Sequence, residues 1–317
     1  MKFYRKYLAI FVLAIIAGLT LHLALFYVNL GVPNQSTAGY NYMFQVKDSY
    51  AQSINSPKII IASGSNTRYG IDTARIEKTL QIPTVNYGIS APLAYCILKQ
   101  AKLLLHCGDI VILPLEYSFY DYQSVPVDTG FARYVAGLDA NFFKELPIYM
   151  KISIINQLTT RELLTAAYHQ LKTTPVYKDK DYLNRNGDAT NNPVANKTSA
   201  KILQSKIKDN VFKTLPVTDD AKKELTSFID YCHANNITVY AAWPNYLWKE
   251  KEFTGKDLEG IHAIEKFYRD HNVEILGNYT DCLYDAELFY DSVYHLNEEG
   301  KRIHTDYLIE LLKEKLR

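Results

Sequence analysis

Ser65 stands in Ser63-Gly64-Ser65-Asn66-Thr67-Arg68-Tyr69-Gly70, directly after the apolar run Lys58-Ile-Ile-Ile-Ala62. A serine hydroxyl is a weak nucleophile until a neighbouring histidine takes its proton. That histidine needs a carboxylate to fix its tautomer and stabilise the imidazolium. Late in the chain, Asp291-Ser-Val-Tyr-His295-Leu-Asn297 supplies both groups, four residues apart. The oxyanion of a tetrahedral intermediate also needs preformed N–H donors, and small residues let backbone amides approach it. Ser65 itself and Gly88, in Asn86-Tyr87-Gly88-Ile89-Ser90, are the candidate oxyanion residues. Asn66 and Arg68 beside the nucleophile, with Glu116 and Tyr117 in Pro114-Leu115-Glu116-Tyr117, are candidates to bind substrate. Together these are the parts of a hydrolytic Ser-His-Asp triad. His106, His169, His233, His262, His271 and His304 fall on helices or helix ends and read as surface or structural. There is no P-loop, no GxGxxG and no cluster at metal-ligand spacing, so neither cofactor nor metal is expected.

These residues need elements that bring them together. Lys58–Ala62, Thr84–Asn86 and Asp109–Leu113 are short β-branched or apolar runs bounded by turn residues, and read as buried strands. Helical patterns at Asp72–Leu80 and Ala91–His106 lie between them, the second closed by Gly108. This rhythm implies parallel βαβ units. It resumes with a helix at 219–234, a strand at 238–243, a helix at 258–270, a strand at 273–276 and a last helix from Asn297 or Glu298 to Leu316. Between them, about 118–215, lies a helical insertion, with patterns at 141–149, 160–171 and 199–212 and an Asn-rich stretch at 184–196. The fold class expected is α/β: a flavodoxin-like three-layer sandwich with a parallel sheet of about five strands. In such a sheet ligands bind outside the carboxyl ends of the strands, where Ser65, Gly88 and Glu116 stand.

The N-terminus carries a different signal. Lys2, Arg5 and Lys6 precede 21 residues, Leu8–Val28, in which only Thr20 and His22 are polar. At about 1.5 Å per residue this run spans roughly 30 Å, a bilayer core. The basic flank places the remainder outside the cytoplasm, and no Ala-x-Ala cleavage site follows. Residues 1–30 therefore read as an uncleaved membrane anchor, 31–56 as a stalk or lead-in, and 57–317 as the α/β domain. Net charge is +1, from 35 basic and 34 acidic residues, which excludes a nucleic-acid partner on composition. The four cysteines, Cys96, Cys107, Cys232 and Cys282, form no CxxC and read as free thiols. Tyrosine is abundant, at 26 residues against 13 Phe.

The Ser after the first strand, the Gly after the second and the Asp/His pair before the last helix resemble the SGNH (GDSL-like) hydrolase superfamily. Gly64-Ser65-Asn66, Gly70-Ile71-Asp72 and His295-Leu296-Asn297 are similar to its membrane-anchored bacterial members. Those accompany membrane-bound O-acyltransferases in alginate and cellulose O-acetylation and lipoteichoic-acid D-alanylation. The resemblance implies Ser65 as nucleophile and amide donor, Gly88 as second-block glycine, and Asp291 and His295 as the remaining triad. Three departures are visible: Ser63-Gly64 stands for Gly-Asp, the third block lacks its Asn, and the spacing is Asp-x-x-x-His rather than Asp-x-x-His. The function implied is an exported, membrane-anchored O-acyltransferase or acyl-esterase. It would act on a glycan or an acylated small molecule of the cell envelope, with a membrane-bound O-acyltransferase as partner. The alternative is a non-catalytic scaffold of the same fold in a polysaccharide modification or export complex. Near-neutral charge and the lack of a long apolar lid pattern argue against a lipase.

Overall fold

Ile59–Ser63 (β1) consists of β-branched and small residues, all buried, as a strand covered on both faces requires. It is the second strand, between β2 and β3, of a five-stranded, wholly parallel sheet with Thr84–Gly88 (β2), Ile110–Leu113 (β3), Thr238–Ala242 (β4) and Glu274–Leu276 (β6), in the order β2-β1-β3-β4-β6. Ser63 pairs with Gly88, and Leu113 pairs with Ala241, so the carboxyl ends of four strands share one edge. The computed structural model describes residues 2–171, 182–207, 210–212, 214, 216–248, 250 and 252–316.

Side chains alternate across the sheet. Ile59 and Ile61 pack with Ile76 of Thr73–Leu80 (α4) and with Leu308, Ile309 and Leu312 of Glu298–Lys315 (α14). Ile60 and Ala62, equally buried, point the other way, where Cys96–Lys102 (α5) and Asp219–Ala234 (α12) lie against the sheet and each other. At the opposite edge, Lys58 Nζ meets Asp109 Oδ2 at 2.7 Å, both side chains buried, joining the starts of β1 and β3.

Chain contacts divide the protein into two compact units, 1–41 with 124–178 and 42–123 with 179–317. The second contains the sheet. The first contains the 28-residue helix Lys2–Asn29 (α1) and the helices Thr129–Leu138 (α7), Ala140–Glu145 (α8), Ile148–Gln157 (α9) and Thr160–Leu171 (α10). The stretch of α1 over residues 4–29 is long and apolar enough to cross a membrane, with an 18-residue window of mean hydropathy 2.6.

Four expectations differ from the structure. The helix expected over 141–149 is divided, with α8 ending at Glu145 and α9 starting at Ile148 after the extended Leu146 and Pro147. The stretch taken as a lead-in contains the helix Ala38–Ser53 (α2), whose Met43, Phe44, Lys47, Tyr50 and Ala51 recur at helical spacing and are buried. The helix expected over 91–106 is divided: a single 3₁₀ turn covers Ala91–Leu93, Ala94 takes a left-handed φ of 45°, and α5 begins only at Cys96. The helix expected over 199–212 is described only as Ala200–Gln204 (α11); residues 208 and 209 lie outside the described residues. No disulfide joins the four cysteines; Cys96, Cys232 and Cys282 are buried and Cys107 is exposed.

Candidate active site

β1 leads through Gly64 directly into Ser65–Gly70 (α3), so Ser65 occupies the first turn after β1. Glycine is required there by crowding rather than by its φ of −74°. A Cβ at Gly64 would collide with the Glu116 carboxyl and come within 3.1 Å of the Ala91 nitrogen.

His295 reaches the same place from the far end of the chain. Phe289–Ser292 (β8) and His295–Leu296 (β9) form a tight antiparallel hairpin in which Ser292 pairs with His295. Asp291 is thereby carried alongside the ring despite the four-residue spacing. His295 Nδ1 lies 2.6 Å from Asp291 Oδ1, and His295 Nε2 lies 2.8 Å from Ser65 Oγ. With Nδ1–H donating to the carboxylate, Nε2 is the acceptor for the Ser65 proton. Burial pushes the Asp291 carboxyl upward, but the His295 hydrogen bond and the charges of His295, Lys206 and Arg68 outweigh it, leaving it below the usual carboxylate range. Neither Asp281 nor Asp285 is hydrogen-bonded to His295; Asp281 instead accepts from Tyr307 Oη at 3.1 Å.

The hairpin is held on both sides of the histidine. Asn245 Nδ2 donates to Tyr294 O at 2.7 Å, and Asn192 Nδ2 donates to Leu296 O at 2.7 Å and to Tyr69 O at 3.3 Å. The Tyr69 ring stacks on the His295 imidazole with centroids 4.3 Å apart, and the Arg68 guanidinium lies 4.7 Å above Tyr69. Asn297 accepts from the amides of Glu299 and Gly300, capping α14 immediately after the hairpin.

Glu116, at the end of β3, is buried against the nucleophile. Its Oε1 accepts from the Asn66 amide at 3.0 Å and lies 3.3 Å from Ser65 Oγ. Burial raises this carboxyl above its ordinary range, against the lowering pull of the Asn66 amide, His295 and Ser65. Ser65 has one proton and Nε2 of His295 is the nearer acceptor. At 3.3 Å the Glu116 carboxyl is the more distant acceptor for that proton.

The other candidates are placed as follows. The Asn66 side chain is buried, accepting from Ser63 Oγ at 3.0 Å and donating to Pro114 O at 2.7 Å; it ties the ends of β1 and β3 together. The Gly88 amide donates to Asn86 Oδ1 at 3.0 Å instead of being turned to Ser65. A Cβ there would strike the Arg68 nitrogen, so Gly88 serves the close approach of β2 to α3. Tyr117 donates its amide to Tyr294 Oη at 3.2 Å, and its buried ring packs edge-on against Phe212, Tyr246 and Phe253. Asn192, Asn245 and Tyr69 were not singled out from the sequence. Asn245 had a readable signal, since it follows the end of β4, while Asn192 reaches the site from the insertion and had none. Compared with known proteins, the sequence matches no protein-family model and no curated protein.

Proposed function

We propose that this protein is a membrane-anchored serine acyl-transfer enzyme of SGNH-like type, an O-acyltransferase or acyl-esterase acting on a cell-envelope or secreted polysaccharide. The observation that carries the reading is the unbroken relay Asp291–His295–Ser65, with contacts of 2.6 and 2.8 Å. The strand order, with β1 beside β2 and the later strands added on the other side, supports reading the sheet as a flavodoxin-like doubly wound one. The basic residues in the first turns of α1 would keep its N-terminus cytoplasmic and hold the triad on the outer side.

In the reaction, His295 Nε2 removes the Ser65 proton as Oγ attacks an acyl carbonyl, and the imidazolium is stabilised by Asp291. The oxyanion forms beside the start of α3, where the acid form of Glu116 is its donor. Glu116 thus serves where the related enzymes have an Asn side chain. It must be neutral there, because a carboxylate would repel the developing negative charge. His295 returns its proton to the departing alkoxide. A glycan hydroxyl or water, deprotonated by the same ring, then takes the acyl group from Ser65.

The absence of the third-block Asn favours one other reading, a scaffold without turnover. The discriminating experiment is Ser65→Ala in cells. Loss of glycan acylation with normal protein level supports the enzyme; unchanged acylation supports the scaffold.

A further inference from the structure

Helices α9 and α10 have more apolar surface than their packing uses. Met150 and Ile154 of α9, and Leu163 and Ala166 of α10, are buried. At roughly 100° per residue, α10 has two further faces. Arg161, Thr165 and His169 line a cavity of about 530 Å³ together with Asn34 and Ser36. Leu164, Tyr168 and Leu171 form an exposed stripe, as do Ile148, Tyr149 and Ile152 on α9. Among the described residues, these six are most of the nine large apolar side chains exposed outside α1. Apolar residues scattered singly over a surface are ordinary; stripes of them mark an interaction face.

What covers the stripes follows from their continuity with α1. The residues of α1 not fully exposed are His22, Leu25, Phe26 and Asn29, one face at helical spacing in its last turns. His22 Nε2 donates to Ile155 O at 3.2 Å, and its Nδ1 accepts from Thr160 Oγ1 at 2.9 Å. Asn29 Nδ2 donates to Leu163 O at 3.1 Å and Asn29 Oδ1 accepts from Gln170 at 2.8 Å. The histidine inside the apolar run and the asparagine at its end therefore take partners from α9 and α10 rather than from water, as a hydrocarbon environment demands. His22 is six residues before Val28, about 9 Å along the axis. An α1 that spans a bilayer thus places the α9–α10 turn roughly that far inside the hydrocarbon. The stripes consist of Ile, Leu and Tyr, not the small residues that line helix–helix contacts in membranes. Tyrosine is enriched where hydrocarbon meets headgroups. The one cation between them on α9, Lys151, bends back to donate to Lys144 O at 2.7 Å.

We propose that α9 and α10 are a monotopic membrane element, set in the leaflet at the C-terminal end of α1. The Ile148/Tyr149/Ile152 and Leu164/Tyr168/Leu171 stripes lie on lipid acyl chains, and Arg161, Thr165 and His169 lie at headgroup level. This rests on the reading of α1 as a membrane span, and extends the membrane contact from one helix to three.

Site-directed spin labelling of the full chain tests it. Exposed Cys107 is first replaced (Cys107→Ser), and labels are introduced one at a time through Ile152→Cys, Tyr168→Cys, Leu19→Cys and Ile202→Cys. Each protein is reconstituted into phosphatidylcholine/phosphatidylglycerol vesicles. Collision with oxygen is compared with collision with a water-soluble nickel chelate. The expected result is lipid-like accessibility (oxygen favoured) at positions 152, 168 and 19, and water-like accessibility at 202. Water-like accessibility at 152 and 168 with lipid-like accessibility at 19 overturns the inference and leaves the anchor intact. Water-like accessibility at 19 as well removes the anchor reading itself. Exclusion of both reagents at 152 and 168 would show a protein-covered face, such as a second copy, and also overturns the inference.

Discussion

Glu116 separates this site most sharply from a generic serine triad, and three substitutions test its role. If its acid form donates to the oxyanion, Glu116→Gln keeps a neutral donor of the same length at the same place. Glu116→Ala removes the donor and also leaves the buried Asn66 amide without the oxygen it now meets at 3.0 Å. Loss of one oxyanion donor costs on the order of 10²–10³ in kcat, or roughly 2.7–4 kcal/mol. We therefore expect Glu116→Ala to lose that factor and Glu116→Gln to remain within about tenfold of wild type. The pH profile gives a second readout. Burial raises the Glu116 carboxyl, and ionisation on its alkaline side removes the donor. Activity should thus fall as pH rises through that raised value. Glu116→Gln should abolish that fall. The assay is turnover of an acetyl-ester test substrate by purified full-length protein, with circular dichroism confirming the fold. Equal losses in Gln and Ala with activity retained in Glu116→Asp would show that a negative charge is required and refute the donor role. A gain in Glu116→Ala would show that the carboxyl obstructs the site.

Asp291→Asn should lower kcat by about 10⁴, because the amide favours the wrong imidazole tautomer, and a change under tenfold would mean that Ser65 and His295 act as a dyad. His304 is buried beside Tyr284, and burial lowers its pKa to about 4 from 6.5. A basic group held neutral in the fold contributes stability that is present above the unfolded value and lost as pH falls from 6.5 through about 4. That contribution is roughly 3 kcal/mol, so chemical denaturation of His304→Gln, compared with wild type from pH 7 to pH 4, should show the variant losing less stability; parallel curves would contradict it. In the native protein Cys107 alone should react rapidly with a thiol reagent, since the other three cysteines are buried and burial pushes the Cys232 thiol up to about 12; fast modification of Cys232 would contradict the packing of α12.

The sheet was readable because its strands are dense in buried β-branched residues and bounded by turn residues. Helices α4 and α12 and Thr160–Leu171 were readable from caps and periodicity. Ser65, His295 and Asp291 could be singled out because strand ends and the approach to the last helix are few positions, and the chemistry demands those residue types. What local pattern could not carry is distance in sequence. Nothing near Asn192 shows that it will bridge Tyr69 O to Leu296 O. Nothing in Pro114–Tyr117 shows that Glu116 will be buried against the nucleophile. The stripe at 91–106 suggested one helix, but Pro92 and the left-handed Ala94 confine the first turn and restart the helix at Cys96. Helix α2 was missed because the buried Lys47 interrupts its inner face of Met43, Phe44, Tyr50 and Ala51, and its other residues are mostly polar. The grouping of 124–178 with the N-terminal helix depends on contacts such as His22 to Thr160, 138 residues apart.

The most direct test of the whole account is covalent trapping of the nucleophile. Full-length protein in detergent is treated with a fluorophosphonate probe and analysed by intact mass and peptide mapping. The account predicts a single adduct on the peptide containing Ser65, absent from Ser65→Ala and strongly slowed in His295→Ala. No adduct, or an adduct on another residue that persists in Ser65→Ala, would contradict it.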